Sequence, residues 1–149
     1  MLVAEGLRKQ LAQPGLDPAL KLRLRRVLVA VLESDPSAAP EVEEQLKALA
    51  TEDASHRTDY DLRRALVYHR SERDDLARQV LSDIDPIKVG SAALLREAAD
   101  VFVEYGLLDE AAVALETVVR LEPEDVLSRE RRLSVLAALG EESALRAAI

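Results

Sequence analysis

Gly106 and Pro123, seventeen residues apart, constrain this chain more than any other pair of residues. Each follows an amphipathic run and stops it for a different physical reason. Leu94, Leu95, Ala98, Phe102 and Tyr105 recur at three- and four-residue spacing, which puts them on one face of a helix. Gly106 then stands where a helix commonly ends in a left-handed residue, a conformation glycine adopts without a side-chain clash. Ala111, Ala112, Leu115, Val118 and Val119 form a second apolar face, and Pro123 cannot extend it because it lacks an amide and crowds the preceding turn. Ser91 is placed to cap the first helix and Asp109 the second. Small residues at Ala99 and Ala111 would let the two helices approach closely.

The positions Leu95, Ala99, Phe102, Ala111, Leu115 and Val118, with Gly106 in the turn and Pro123 at the end, resemble a tetratricopeptide repeat, a helix–turn–helix unit of 34 residues. The resemblance implies a right-handed solenoid of antiparallel helix pairs that holds other molecules rather than transforming them. It also implies that the first helix of each pair lines the concave face.

Breakers and caps divide the chain into segments near 2–12, 18–33, 40–51, 56–70, 73–84, 92–105, 109–121, 126–139 and 142–148. The expectation is therefore an all-α fold of eight to nine helices. Asp17, Ser71 and Asp125 read as helix starts, Gly140 as a helix end, and Pro14-Gly15 and Pro36 to Pro40 as loops. The longer segments begin near 18, 56, 92 and 126, a recurrence of 34 to 38 residues. Ala77, Leu81, Ile84 and Pro86 echo Ala114, Val118, Leu121 and Pro123 at a spacing of 37. At the preceding turn, His69 and Arg70 are read as standing where Tyr105 and Gly106 do. The reading is a single domain over 1–149, with capping helices in 1–51 and a repeat array over 56–149. Segment 18–33 is apolar on two sides, through Leu20, Leu24, Val27 and Val31 and through Leu22, Val29 and Leu32. Such a helix lies between neighbours. Segment 2–12, with Val3, Leu7 and Leu11, is expected to cover it; the alternative is that this end dimerises or meets another domain.

Aromatics make up only 3% of a chain that is 48% apolar, so alanine, leucine and valine must fill the interior, which favours close-packed helices over strands. The longest unbroken apolar run, 27–32, is too short to cross a membrane. The opening residues carry an acid early and lack the basic leader and cleavage-type region expected of a signal peptide. With no cysteine, the reading is cytoplasmic. A net charge of −8 argues against nucleic acid and anionic membranes as partners. The one basic run, Lys21 to Arg26, is interleaved with leucines and reads as a solvated helix face.

No catalytic residues, cofactor or metal site are expected. His56 and His69 lack the spacing or partners of a zinc site. No glycine-rich phosphate loop or nucleophile turn occurs. Asp83 with Asp85, and Glu122 to Asp125, lack the spacing of a calcium loop. Nor can a carboxylate clamp of the kind known in the resembled family be carried over, since the chain has no asparagine and only four lysines.

What remains is binding. On the first helices, Tyr60, Arg64 and Tyr68 form a stripe at four-residue spacing, away from Leu62, Ala65, Leu66 and His69. The same phase gives Arg96, Asp100 and Glu104, and then Arg131. Tyrosine and arginine are common interface anchors. The competing reading packs both tyrosines against a neighbouring helix and pairs Arg64 with Asp61 or Asp100. The expected partner is a protein or peptide, possibly a second copy of the chain. The expected role is a non-enzymatic scaffold or adaptor; the alternative is a structural or oligomerisation module attached to an enzyme or signalling protein.

Overall fold

The computed structural model describes residues 2–148, less the side chains at 144, 145 and 148. Among the described residues there are eight α-helices and no strand. They are Leu2–Leu11 (α1), Pro18–Leu32 (α2), Ala39–Glu52 (α3), Arg57–Arg70 (α4), Asp74–Ser82 (α5), Ala92–Glu104 (α6), Leu108–Leu121 (α7) and Val126–Ala148 (α8). Short 3-10 turns occupy Pro36–Ala38, Ala54–His56 and Pro86–Lys88. Two compact units result, Met1–Val80 and Leu81–Ile149.

In the first unit, α1 packs on α2, α2 on α3 and α3 on α4. Its core gathers Ala4, Leu28, Val29, Leu32, Val42, Leu46 and Leu49, with Leu7, Leu11 and Leu22 partly buried against them. α1 therefore does cover α2, but its buried edge begins at Ala4; Val3, expected on that edge, is exposed. The small side chain at position 4 lets α1 sit closer than valine would. Of the two apolar sides of α2, the one carrying Leu28, Val29 and Leu32 is buried, whereas Leu20 and Val27 remain exposed.

In the second unit, α7 packs on α6, on α8 and on the 3-10 turn at Pro86–Lys88. Leu95, Ala98, Ala99, Phe102, Ala111, Ala114, Leu115 and Val118 are fully buried, so the alanines at 99 and 111 do sit in the packed interior. Leu94 and Val119, expected on the buried faces, are only half-buried.

Several helix ends follow the sequence. The Asp17 side chain accepts a hydrogen bond from the Leu20 amide, Ser91 from Leu94, and Asp125 from Ser128. Three do not. Ser71 is the C-terminal cap of α4 rather than a helix start, and α5 begins at Asp74. Asp109 lies within the first turn of α7, whose cap position, Leu107, makes no side-chain hydrogen bond. Gly140 does not end a helix, because α8 runs through it unbroken. A glycine stops a helix by turning left-handed, as Gly106 does at φ 73°, and Gly140 has no positive φ. In α8 it costs propensity alone, about 1 kcal/mol, and Glu142 paired with Arg146 one turn on supports the continuation.

The turns after α4 and α6 share one hydrogen-bond pattern. The Leu107 amide donates to the Phe102 carbonyl at 2.8 Å and Gly106 to Val103 at 3.0 Å. Correspondingly, Arg73 donates to Tyr68 at 2.9 Å and Glu72 to His69 at 3.1 Å. Both are six-to-one closures around a left-handed residue. Ser71 and Glu72, not His69 and Arg70, therefore stand where Tyr105 and Gly106 do. Glu72 takes the left-handed position at φ 59°, although it is not glycine. The corrected spacing is 34 residues, and it aligns buried Ala77, Leu81 and Ile84 with buried Ala111, Leu115 and Val118. The apparent spacing of 37 slips the second helix by three residues, almost one turn, which leaves the apolar stripe nearly superposed.

Candidate functional site

Tyr60 and Tyr68, read as stripe residues, are both 5% exposed. Their rings lie in the packing of the first unit and their hydroxyls serve its polar ties. The Tyr60 hydroxyl donates to Asp53 Oδ2 at 2.8 Å and accepts from Arg26 Nε at 2.8 Å, while Arg26 also pairs with Asp53. One carboxylate at the end of α3 thus joins α2, α3 and α4. The Tyr60 hydroxyl bond holds the Asp53 carboxyl well below the usual carboxylate range, with His56, Arg26 and Ser55 adding to it against the cost of burial. Tyr60 is itself pushed up, by burial first and then by donating to Asp53.

Tyr68 repeats the device at the other end of α4. Its hydroxyl donates to Glu43 on α3, whose second oxygen accepts from Arg73 at 3.1 Å. The Arg73 guanidinium lies 4.9 Å from the Tyr68 ring centroid, in cation–π range. Burial raises the Glu43 carboxyl, but the Tyr68, Lys47 and Arg73 contacts together bring it below its ordinary value.

Arg64 behaves differently. It pairs with Asp61, one turn earlier, at a long 3.6 Å, and its Nε is buried with no hydrogen-bond partner. Asp61 is shared with Arg57, also at 3.6 Å. These residues line a groove of about 380 Å³ between α3 and α4, with Lys47, Ala50, Thr51 and Ala54 opposite. Three cations and one acid line it, and Lys47 is also paired with Glu43 at 3.1 Å.

In the second unit, Arg96 donates from Nε to Asp125 Oδ2 at 2.8 Å and also pairs with Glu122. The Arg96 contact, with the Ser128 hydroxyl and amide, lowers the Asp125 carboxyl to about 2. Asp125 therefore caps α8 and ties it to α6 at once. Asp100 pairs with Arg131, again α6 to α8. Glu104 is exposed at the end of α6. Of the seven stripe residues, Tyr60, Arg64 and Tyr68 lie on α4 of the first unit, and Arg96, Asp100, Glu104 and Arg131 belong to the second. Sequence reading missed the roles of Asp53 and Glu43. The only available signal was an acid near a helix end or on α3, which does not reveal a tertiary partner.

Ser55, His56 and Asp53 lie together, but not in a nucleophilic arrangement. The Ser55 hydroxyl and the Asp53 carboxylate both approach His56 Nδ1, at 3.1 and 3.2 Å. A general base needs the hydroxyl on one ring nitrogen and the carboxylate on the other. Among the described residues, no group of three or more metal-binding side chains occurs, and no helix is long and apolar enough to cross a membrane. No protein-family model, no curated protein and no solved structure matches the chain.

Proposed function

We propose that this chain is a cytoplasmic, non-enzymatic interaction scaffold, in which tetratricopeptide-like helix pairs stack as a right-handed solenoid and hold a peptide or protein segment. The repeat reading is supported by the shared turn pattern and the 34-residue alignment of buried positions. The binding reading is carried by one observation, the α3–α4 groove with its under-bonded Arg64. The Arg64 guanidinium makes only a long 3.6 Å pairing with Asp61 among the described residues, and an incoming carboxylate would give its outer nitrogens a charge-assisted partner. Lys47 and Arg57 would add charge-assisted contacts to the same group. The segment held is therefore one that presents an acidic side chain. The test is capture of partners from native lysate by wild type and by Arg64→Glu, each checked for unchanged melting. Partners that return with wild type and are lost with the variant support the reading. An identical set from both, or none from either, counts against it.

The oligomerisation reading has its own support, in exposed apolar faces on α2 and α8 far from this groove in sequence.

A further inference from the structure

α8 buries only one side. Ser128 and Val135 face the packed interior, whereas Val126 and Leu133 keep 57% and 65% of their surface. At about 100° per residue, Val126, Leu133, Ala137 and Gly140 fall within roughly a 60° sector opposite Val135. Leu136 flanks that sector and is also exposed. A row of this kind on a helix already packed by its other side is a second packing face.

α2 carries a matching row. Leu20 and Val27 keep 42% and 48% of their surface, with Leu24 and Val31 half-buried beside them. The seven-residue separation of Leu20 from Val27 equals that of Val126 from Leu133. Charge differs between the rows. α2 contains Lys21, Arg23, Arg25 and Arg26 and no acid. Arg23 lies along the edge of the row, exposed and with no hydrogen bond or ion pair among the described residues. On α8, Glu130 and Glu141 lie along one edge, exposed and likewise unengaged. Arg129, on the opposite edge, is turned back to the Pro123 carbonyl.

We propose that α8 of one copy packs on α2 of a second copy, so that the chain associates head to tail. Laid parallel, Val126 meets Leu20, Leu133 meets Val27, and Leu136 and Ala137 meet Val31. In parallel helices the opposite edges of the two seams come together, which sets Glu130 beside Arg23. The same geometry disfavours antiparallel pairing of α8 with itself, since that sets Glu130 and Glu141 edge against edge. Because the two faces are different, the contact is heterologous, and each copy offers one face of each kind. This inference is independent of the α3–α4 groove and stands if that groove binds nothing.

Sedimentation velocity over about a hundredfold range of concentration tests it, since a single helix–helix contact makes a small and weak interface. Wild type should gain mass with concentration. Val27→Asp and Leu133→Asp each remove one exposed face and should each be monomeric with unchanged melting. Mixed in equal amounts, they should form dimers and stop there, because only one intact pair of faces remains. Arg23→Glu should weaken wild-type assembly at least severalfold, and Arg23→Glu with Glu130→Arg should restore it. A wild type monomeric throughout overturns the proposal. So does a single-face variant that still dimerises with itself, a mixture that stays monomeric, or a charge swap that fails to restore assembly.

Discussion

The two units are built from similar helices, each with an apolar core and polar ties, but they differ in which of these joins the helices that the sequence pattern pairs. In the second, small residues at 98, 99, 111 and 114 bring α6 and α7 together around Phe102 and Leu115, all of them fully buried. In the first, α2, α3 and α4 meet through tyrosine–carboxylate–arginine ties at Asp53 and Glu43, and by Arg63 Nε on Glu33 at 3.0 Å. Close apolar packing leaves a periodic trace in sequence, because it needs small and large residues at fixed phase. Polar ties leave almost none, since they depend on which side chains meet across long separations. The same contrast appears in the turns, where the second unit uses Gly106 and the first forces Glu72 into the left-handed position.

The contrast predicts that the second unit fails through its core. Leu115→Ala should destabilise it by about 2–5 kcal/mol, toward the lower end if the neighbouring alanines collapse inward. Chemical denaturation followed by circular dichroism measures this, and an unchanged midpoint would mean that the α6–α7 packing is misjudged.

The first unit should also be weakened through its polar ties. Tyr60→Phe keeps the ring and removes the hydroxyl that serves both Asp53 and Arg26, at a cost of about 1–3 kcal/mol. Acidification should act in the same direction. The Asp53 and Asp125 carboxyls are held below their unfolded value of about 3.9, so the stability they confer is present above that pH. For Asp125 it is lost as pH falls from about 4 through about 2. A melting temperature that does not fall across this window would show that neither carboxylate holds its unit.

The turn comparison gives the smaller effects. Gly106→Ala should cost about 1–2 kcal/mol for a side chain in a left-handed site. Glu72→Gly should gain at most about 1 kcal/mol, because relief of strain is partly offset by the added freedom of the unfolded chain. Equal shifts of the same sign for the two variants would remove the equivalence between these turns.

These differences mark what was legible in the sequence. The helical content, the caps at Asp17, Ser91 and Asp125, and the α6–α7 face follow from local chemistry and periodicity. The end of the chain did not, because glycine alone cannot distinguish a stop from a weak interior position, and Gly140 turned out to be the latter. The phase of the second repeat helix was off by nearly one turn, an error that apolar periodicity cannot detect. At the candidate site, spacing grouped Tyr60, Arg64 and Tyr68 correctly on α4. It could not tell that two of them are buried while the third has an unsatisfied donor, since each partner lies on another element or is missing.

Along α4 the tyrosines help hold the first unit together, and the proposed function gives Arg64 the ligand. The direct test measures melting and partner capture for Tyr60→Phe and Arg64→Glu side by side. The account predicts that Tyr60→Phe melts lower yet captures the wild-type partners at temperatures where it is folded, while Arg64→Glu melts unchanged and loses them. If Tyr60→Phe loses the partners without a change in melting, and Arg64→Glu retains them, the tyrosines are the binding surface and the account is wrong.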